Sequence, residues 1–391
     1  MTKSKSINSP SRKTQKLRSF IAMDILEATQ KLAREGRDVI SFSIGEPDFP
    51  APEAVKQETI RAIQQDFTQY THSMGLPELR EAICDHYRER YRVRIHPDQV
   101  LVTAGTSPAL LLTFGALLNP GDEVIMSDPH YPCYSNFIQF LEGKMVYVPV
   151  RETEAFQYRP EEVKKKLSRR TKAIFLNSPA NPTGCVVQAE VMKKLATMGK
   201  IVVSDEIYHG LTYEGEEHSI LEFTDQAFVL NGFSKAYAMT GFRLGYLIAP
   251  KNFIPTLQKL QQNFFISTSS FIQRAGIVAL KKTKSVRAKM KKIFYERRKV
   301  MLQGVRDLGF GVATDPRGAF YVFANAKHYT SDSYAFAMDL LKATGVGVTP
   351  GIDFGPGGEG YLRFSYATDI HNIRRGLARI EEFLHRKKMK S

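Results

Sequence analysis

Residues 231–245 of the chain read NGFSKAYAMTGFRLG and follow directly on a short apolar run, Phe228–Leu230. They place Lys235 among small residues, just past a predicted strand. A lysine so placed has access, room for a planar group and surroundings that can lower its pKa, which a Schiff-base nucleophile requires. Most lysines are surface charges, so this segment alone does not favour the nucleophile.

Short apolar runs alternate with helix-length amphipathic segments between about residues 100 and 250. This pattern predicts a βαβ sheet with helices on both faces, and ligands of such sheets bind at the carboxyl ends of the strands. The predicted strands are Val100–Thr103, Glu123–Ser127, Met145–Val150, Ala173–Leu176, Ile201–Ser204, Phe228–Leu230 and Leu244–Ile248.

The chain length of 391 residues favours two domains, or one large domain with a smaller one beside it, because it is too long for one hydrophobic core of ordinary size. Hydrophobic residues at 43% and charged residues at 24% exclude collagen-like and largely disordered chains. We expect an N-terminal segment (1–45) that packs with the small domain, a large domain (46–285) and a small C-terminal domain (286–391).

The three cysteines, Cys84, Cys133 and Cys185, include no CxxC pair, so we expect neither a disulfide framework nor a metal site. This favours a reducing compartment, and we expect a cytoplasmic location. Residues 99–121 lack charge, but a Gly-Thr-Ser-Pro segment interrupts them, which argues against a membrane span. No apolar region follows the basic N-terminus, as a secretory signal would require, whereas a short transit peptide stays open.

The net charge of +15 is concentrated in residues 1–20, 281–299 and 386–390. Residues 281–299 are predicted to form the solvated face of a helix. Because the charge is confined to the termini and this stretch, attraction of anionic metabolites is favoured over nucleic-acid binding.

Two further motifs follow successive predicted strands. Asn177–Gly184 reads NSPANPTG and Asp205–Tyr208 reads DEIY. Separately, the first is compatible with an ordinary turn and the second with a helix N-cap followed by acids. The two motifs and Lys235 lie at successive strand ends and in this order. This combination is a specific signal of function, although each motif alone is not.

With these motifs the sequence resembles the class I/II aminotransferases, which are fold-type I pyridoxal 5'-phosphate (PLP) enzymes. The resemblance covers nearly the whole chain, through IGEPDF at 44–49, GLPELR at 75–80 and YLRFS at 361–365. It implies an α/β fold with a large, mostly parallel-sheet domain and a smaller α+β domain. It also implies PLP as cofactor and a homodimer with shared active sites. The charge distribution and the interrupted apolar run argue against a nucleic-acid or membrane partner.

The resemblance assigns Lys235 as the covalent anchor of the cofactor and the carrier of the substrate's α-proton. Asp205 would pair with the pyridinium nitrogen, and Asn181 and Tyr208 would bind the ring oxygen O3'. Tyr131 would stack on the ring, although many relatives have tryptophan there and this chain has none.

The phosphate of the cofactor is expected at the start of the helix after Val100–Thr103, predicted to begin near Pro108, because helix N-termini bind anions. A βα turn with capping hydroxyls is the compatible alternative. The resemblance adds a serine and an arginine that flank the lysine, and a tyrosine lent by the neighbouring subunit. The phosphate-binding residues are therefore Gly105, Thr106, Ser107, Ser234, Arg243 and Tyr70.

The resemblance assigns Arg363 to the substrate α-carboxylate, and a guanidinium suits this role because it binds a carboxylate with two parallel hydrogen bonds. The alternative is an edge-strand arginine that merely faces solvent. The resemblance also assigns the backbone of Gly45 and the side chain of Asn181 to substrate binding.

The resemblance implies ping-pong transamination with 2-oxoglutarate as the usual acceptor, and the sequence leaves the donor open. Ser107 replaces the lysine of one bacterial aspartate-specific subgroup, and Lys16 lacks the proline of that subgroup's N-terminal motif. An apolar or mixed pocket is expected from Phe20, Ile21, Met23, Tyr131 and Tyr134. Alanine, branched, aromatic or sulfur amino acids are therefore as plausible as aspartate. A C–S β-lyase would use the same residues, whereas a DNA-controlling sensor would need a longer N-terminus.

Overall fold

The computed structural model describes residues 10–389, so the basic residues within 1–9 lie outside the described part. The strands are β1 (Ile40–Ser41), β2 (Val100–Thr103), β3 (Glu123–Asp128), β4 (Lys144–Pro149), β5 (Thr171–Asn177), β6 (Ile201–Asp205), β7 (Ala227–Gly232), β8 (Gly245–Ile248), β9 (Tyr321–Asn325), β10 (Val346–Gly347), β11 (Thr349–Pro350) and β12 (Tyr361–Ser365). The helices are α1 (Arg12–Gln15), α2 (Ile21–Arg34), α3 (Glu53–Gln64), α4 (Pro77–Tyr91), α5 (Thr106–Leu117), α6 (Pro132–Phe140), α7 (Pro160–Lys166), α8 (Ala189–Ala196), α9 (Ile254–Phe264), α10 (Ser270–Lys282), α11 (Lys284–Asp307), α12 (Ser333–Thr344) and α13 (Ile370–Lys388).

Seven strands form the main sheet, in the order β2-β8-β7-β6-β5-β3-β4. All seven predicted runs are strands, with ends that differ by at most two residues. Strand β7 is buried throughout, and its successive residues point to opposite faces, with Val229 in one hydrophobic cluster and Phe228 and Leu230 in the other. The predicted fold class, a large mostly parallel sheet covered by helices, is confirmed.

One strand of the main sheet, β8, runs antiparallel to both of its neighbours, which the βαβ pattern did not predict. The segment 233–244 between β7 and β8 contains no crossover helix. Without a crossover the chain returns beside β7 in the opposite direction. The resulting turn carries Lys235.

A second, three-stranded antiparallel sheet has the order β11-β12-β9. Strand β1, from the N-terminal segment, pairs in parallel with β10 in a separate two-stranded sheet. The carboxylate of Asp353 also accepts hydrogen bonds from the first two amides of α2, Ile21 N and Ala22 N, at 2.9 and 3.1 Å. The domain boundaries at residues 45 and 285 stay a prediction.

The basic stretch 281–299 is not the solvated face of one helix, so that prediction is wrong in part. Helix α10 ends at Lys282 and α11 begins at Lys284. Arg297 and Arg298 are buried and paired with Asp48 at 2.6 Å and Glu214 at 2.8 Å. Each buried guanidinium thus has a carboxylate partner, without which its burial would be costly.

Within residues 10–389, no helix is long and apolar enough to cross a membrane. The same part of the chain shows no cluster of three His, Cys, Asp or Glu side chains arranged to bind a metal ion. The three cysteines are free thiols.

Candidate active site

A cavity of 370 Å³ opens where β5, β6 and β7 end. Most of the predicted site residues line it: Gly45, Thr106, Ser107, Tyr131, Asn181, Asp205, Tyr208, Ser234, Lys235, Arg243 and Arg363. Gly105 immediately precedes this lining, and Tyr70 lies outside it, with 82% of its surface exposed. The catalytic and binding roles of these residues remain predictions.

The amine of Lys235 points into the cavity, where its Nζ donates a hydrogen bond to the carbonyl of Gly45 at 2.5 Å. Burial lowers the pKa of Lys235 from 10.5 to about 8. The carboxylate of Glu46 opposes this shift, while the charges of Arg363 and Arg243 add to it. A larger share of neutral amine is therefore present near neutral pH than in an exposed lysine, as a nucleophile and proton acceptor requires.

Asp205 is the last residue of β6 and is 4% exposed. Its Oδ2 accepts a hydrogen bond from the Tyr134 hydroxyl at 2.7 Å, and its Oδ1 accepts one from Ile207 N at 3.0 Å. Burial raises the pKa of this carboxyl to about 6, and both hydrogen bonds oppose the increase. No helix follows β6 directly, so the capping alternative is wrong.

Arg363 lies at the centre of the second sheet, because β12 pairs with β11 on one side and β9 on the other. It is 2% exposed, which rules out the alternative of an edge arginine facing solvent. Its Nη1 donates to Asn181 Oδ1 at 2.8 Å, and its Nη2 donates to the Ser43 carbonyl at 2.6 Å and to Thr349 Oγ1 at 3.1 Å. Its Nε is buried without a partner among the described residues, so the guanidinium retains hydrogen-bonding capacity.

Gly105 and Arg243 form a close contact at the start of α5. Gly105 has a φ of +89°, and a Cβ there would lie 2.7 Å from Nη2 of Arg243. Both the backbone conformation and the space therefore require glycine. Helix α5 begins at Thr106 rather than near Pro108, so Thr106 and Ser107 form its first turn. An anion here would meet the helix N-terminus and the guanidinium together.

Apolar side chains from α2 and its entry form one wall of the cavity. Phe20, Met23 and Leu26 line it, and the ring of Phe20 packs edge-on against Tyr131 at 5.6 Å between centroids. Ile21 instead lines a neighbouring cavity, so its predicted place in the pocket is wrong. Adjacent residues at a helix start point in different directions, which explains the difference.

Two tyrosines have polar contacts that the sequence analysis did not predict. Tyr134 was expected only as pocket wall, but it donates to Asp205. Its spacing of three from Tyr131 places both on one side of the start of α6, and this spacing is the signal that could have revealed it. Tyr321, on β9, shares a hydrogen bond of 2.7 Å with the hydroxyl of Tyr208. No local pattern indicates that contact.

Comparison with known proteins agrees with this geometry. The family model of class I and II aminotransferases matches residues 37–380. A (5-formylfuran-3-yl)methyl phosphate transaminase from Methanocaldococcus jannaschii is 42% identical over 94% of this chain and 97% of its own length. An aspartate aminotransferase from Pyrococcus horikoshii is 38% identical over 96% of this chain and 100% of its own length.

Solved structures show the same similarity. The aspartate aminotransferase of Thermus thermophilus with maleate has a TM-score of 0.92 at 36% identity, covering 96% of this chain and 100% of that chain. A Methanococcus jannaschii protein described as similar in its active site to kynurenine aminotransferases has a TM-score of 0.90 at 42% identity, with the same coverage. The strand-end cavity, the lysine turn and these similarities together show that the chain belongs to the class I and II aminotransferase family and is an aminotransferase.

Proposed function

We propose that this aminotransferase uses PLP to move the amino group of an L-amino acid to a 2-oxo acid by a ping-pong mechanism. The observation that carries the proposal is the placement of the Lys235 amine in one cavity with the carboxylate of Asp205 and the guanidinium of Arg363. The acceptor implied by the family resemblance is 2-oxoglutarate.

The cavity residues fit the cofactor chemically. A buried carboxylate with a raised pKa, such as Asp205, gains from a cationic ring nitrogen placed against it. The glycine backbone at residue 105 and the Arg243 guanidinium suit a phosphate. When bound, PLP supplies an electron sink for the substrate's α-carbon.

The chain's own residues then divide the work. Arg363 binds the α-carboxylate and orients the α-carbon, and Nζ of Lys235 takes up the α-proton. The desolvated surroundings of Lys235 leave part of the amine neutral, so that it can accept this proton. Tyr131 would cover one face of the ring, and Tyr208 would donate a hydrogen bond to its oxygen.

We propose that the donor carries an apolar or aromatic side chain. The wall formed by Phe20, Met23, Leu26 and Tyr131 is apolar. Among the described lining residues, the basic side chains are Lys235, Arg243 and Arg363, and each already has a proposed role. One relative cited above is named for an aldehyde that carries a phosphate, and another is named for aspartate. Because these names differ, the donor of this protein has to be measured.

The first experiment is an absorbance spectrum of the PLP-loaded protein with single amino acids and no oxo acid. We expect apolar and aromatic donors to convert the cofactor to its amine form and to release one equivalent of 2-oxo acid. A second addition, of 2-oxoglutarate, should restore the original spectrum. Catalytic release of ammonia and pyruvate from cysteine conjugates would instead support the β-lyase.

The active unit is proposed to be a homodimer in which Tyr70 serves the neighbouring site. Tyr70 is 82% exposed, and four further large apolar side chains are exposed near it in the sequence or at the end of α9: Ile60, Ile63, Phe264 and Ile266. Mixing Lys235→Ala and Tyr70→Ala protomers tests this, because one site of the hybrid then contains neither substitution. Recovery of activity on mixing supports sharing, and its absence argues that each subunit is self-sufficient. The cytoplasmic location stays a prediction.

A further inference from the structure

Tyr321 lies where the two sheets meet at the active site. It is the first residue of β9, is fully buried and lines the cavity. Its hydroxyl contacts the hydroxyl of Tyr208, which follows β6 of the main sheet, at 2.7 Å. Its ring lies against the guanidinium of Arg363, whose Cζ is 4.4 Å from the ring centroid. One side chain therefore contacts two residues that the proposed function assigns to cofactor and substrate.

We propose that Tyr321 is a positioning residue that holds Tyr208 through its hydroxyl and Arg363 through its ring. The proposal rests on the proposed function, since it assumes that Tyr208 acts on the cofactor and Arg363 on the α-carboxylate. It adds a residue on the small sheet that sets the position of both.

The register of the small sheet explains the contact with Arg363. Arg363 on β12 is paired with Phe323 on β9, so Tyr321 is the diagonal neighbour two residues away on the same face. Diagonal neighbours lie within reach of long and aromatic side chains. The ring of Phe354 lies 5.0 Å from the same Cζ. Aromatic contacts of this kind attract a guanidinium and restrict its orientation when it is desolvated.

The hydroxyl of Tyr321 occupies a crowded position. A Cβ on Gly45 would lie 2.5 Å from it, so glycine is required there for the hydroxyl to reach Tyr208. The carbonyl of the same glycine accepts the hydrogen bond from Lys235. The residue whose missing side chain leaves room for the Tyr321 hydroxyl therefore also accepts the hydrogen bond of Lys235.

The hydrogen bond between the two tyrosines can strengthen Tyr208 as a donor. Burial raises the pKa of both phenols, so both carry their protons at neutral pH. When Tyr321 donates to the oxygen of Tyr208, the proton of Tyr208 is free for an oxygen of the bound ring. Hydrogen bonds in such a chain polarise one another, so the second donor becomes stronger. Phenylalanine at 321 would remove this effect and leave the ring on Arg363.

The test separates the hydroxyl from the ring with two variants and a control. Tyr321→Phe removes only the hydroxyl, and Tyr321→Met removes the aromatic face at comparable length. Tyr366→Phe is the control, because Tyr366 is also a fully buried tyrosine of the small sheet region, and its hydroxyl contacts the Ala319 carbonyl at 3.3 Å outside the cavity lining. Each variant is studied with PLP bound.

Two quantities are measured: the pH midpoint of the absorbance of the bound cofactor, and the affinity for a non-reacting carboxylate such as 3-phenylpropionate. A weaker Tyr208 donor stabilises negative charge on the ring oxygen less, so Tyr321→Phe should raise the midpoint by about half to one pH unit. Its carboxylate affinity should stay within about twofold of wild type. Tyr321→Met should weaken binding of the carboxylate roughly tenfold, because Arg363 loses the aromatic contact.

Two results overturn the proposal: an unchanged midpoint in Tyr321→Phe, or the same midpoint shift in Tyr366→Phe. Equal carboxylate affinity in the Phe and Met variants would overturn the role proposed for the ring. If the Met variant does not fold, the midpoint of Tyr321→Phe decides. Both readouts work without turnover, so a wild-type protein that binds PLP but fails to transaminate would contradict the proposed function and leave this test intact.

Discussion

Replacing Asp205 by Asn should stabilise the cofactor-free protein while it abolishes activity. Burial raises the pKa of this carboxyl from 3.8 to about 6. Well below pH 3.8 the side chain is protonated in both folded and unfolded chains, so it has no effect on the pH dependence of stability. Between about pH 4 and 6 the unfolded chain loses this proton while the folded protein keeps it, so stability falls as the pH rises and the loss is complete once the folded carboxyl ionises near pH 6. At about 1.4 kcal/mol per pH unit, the difference between the two pKa values costs about 3 kcal/mol above pH 6.

Denaturant unfolding of the cofactor-free wild type and variant, at about pH 4 and about pH 8 and equal protein concentration, measures this difference. We expect Asp205→Asn to be more stable by up to about 3 kcal/mol at pH 8 and nearly unchanged at pH 4. Asp98→Asn, at a side chain 75% exposed, is the control. Adding PLP should reverse the order, because a cation on the ring stabilises the wild-type carboxylate. A variant that is less stable at pH 8, or equally stabilised at both pH values, would mean that ionisation of Asp205 does not destabilise the cofactor-free fold.

Three further predictions concern the cavity. Lys235→Ala should lose both turnover and the absorbance of the lysine-bound cofactor; near-native activity would contradict its assignment as the anchor. Arg363→Ala should raise KM roughly 100-fold, and by a similar factor for every donor, because all donors share the α-carboxylate. An effect on the KM of only one donor in steady-state kinetics would mean that Arg363 contacts the side chain of that donor and not the shared α-carboxylate. Gly105→Ala should weaken PLP binding at least about tenfold in a fluorescence titration. The Cβ of the alanine would lie 2.7 Å from Arg243, and the backbone there would be strained. Gly241→Ala, where a Cβ meets nothing within 4 Å, should bind PLP normally, and equal losses would remove the steric explanation.

The strands of the main sheet and the motifs at their ends were predictable because both are local. An apolar run bounded by turn residues identifies a buried strand, and β2 and β6 begin at the predicted residues. Asp205 and Lys235 were found because parallel strands bring their carboxyl ends to one edge. Their order in the sequence was therefore sufficient to group them before the structure was known.

Contacts between distant segments were not predictable in this way. Nothing near Arg297 in the sequence indicates that Asp48, 249 residues away, neutralises it in the interior. The sequence pattern also did not predict that β8 is antiparallel, because the periodicity of a strand is the same in either direction.

The fold class, the family and the set of residues at the strand ends could be predicted from the sequence alone. These follow from periodicity and short motifs, which depend on neighbours a few positions apart. Only the packed structure shows that Arg363 is buried against Asn181, 182 residues away, and that Tyr321 and Tyr134 line the same cavity. The physical reason is that the partner of a buried polar group is chosen by how sheets and helices pack in space, and local sequence carries no record of that choice.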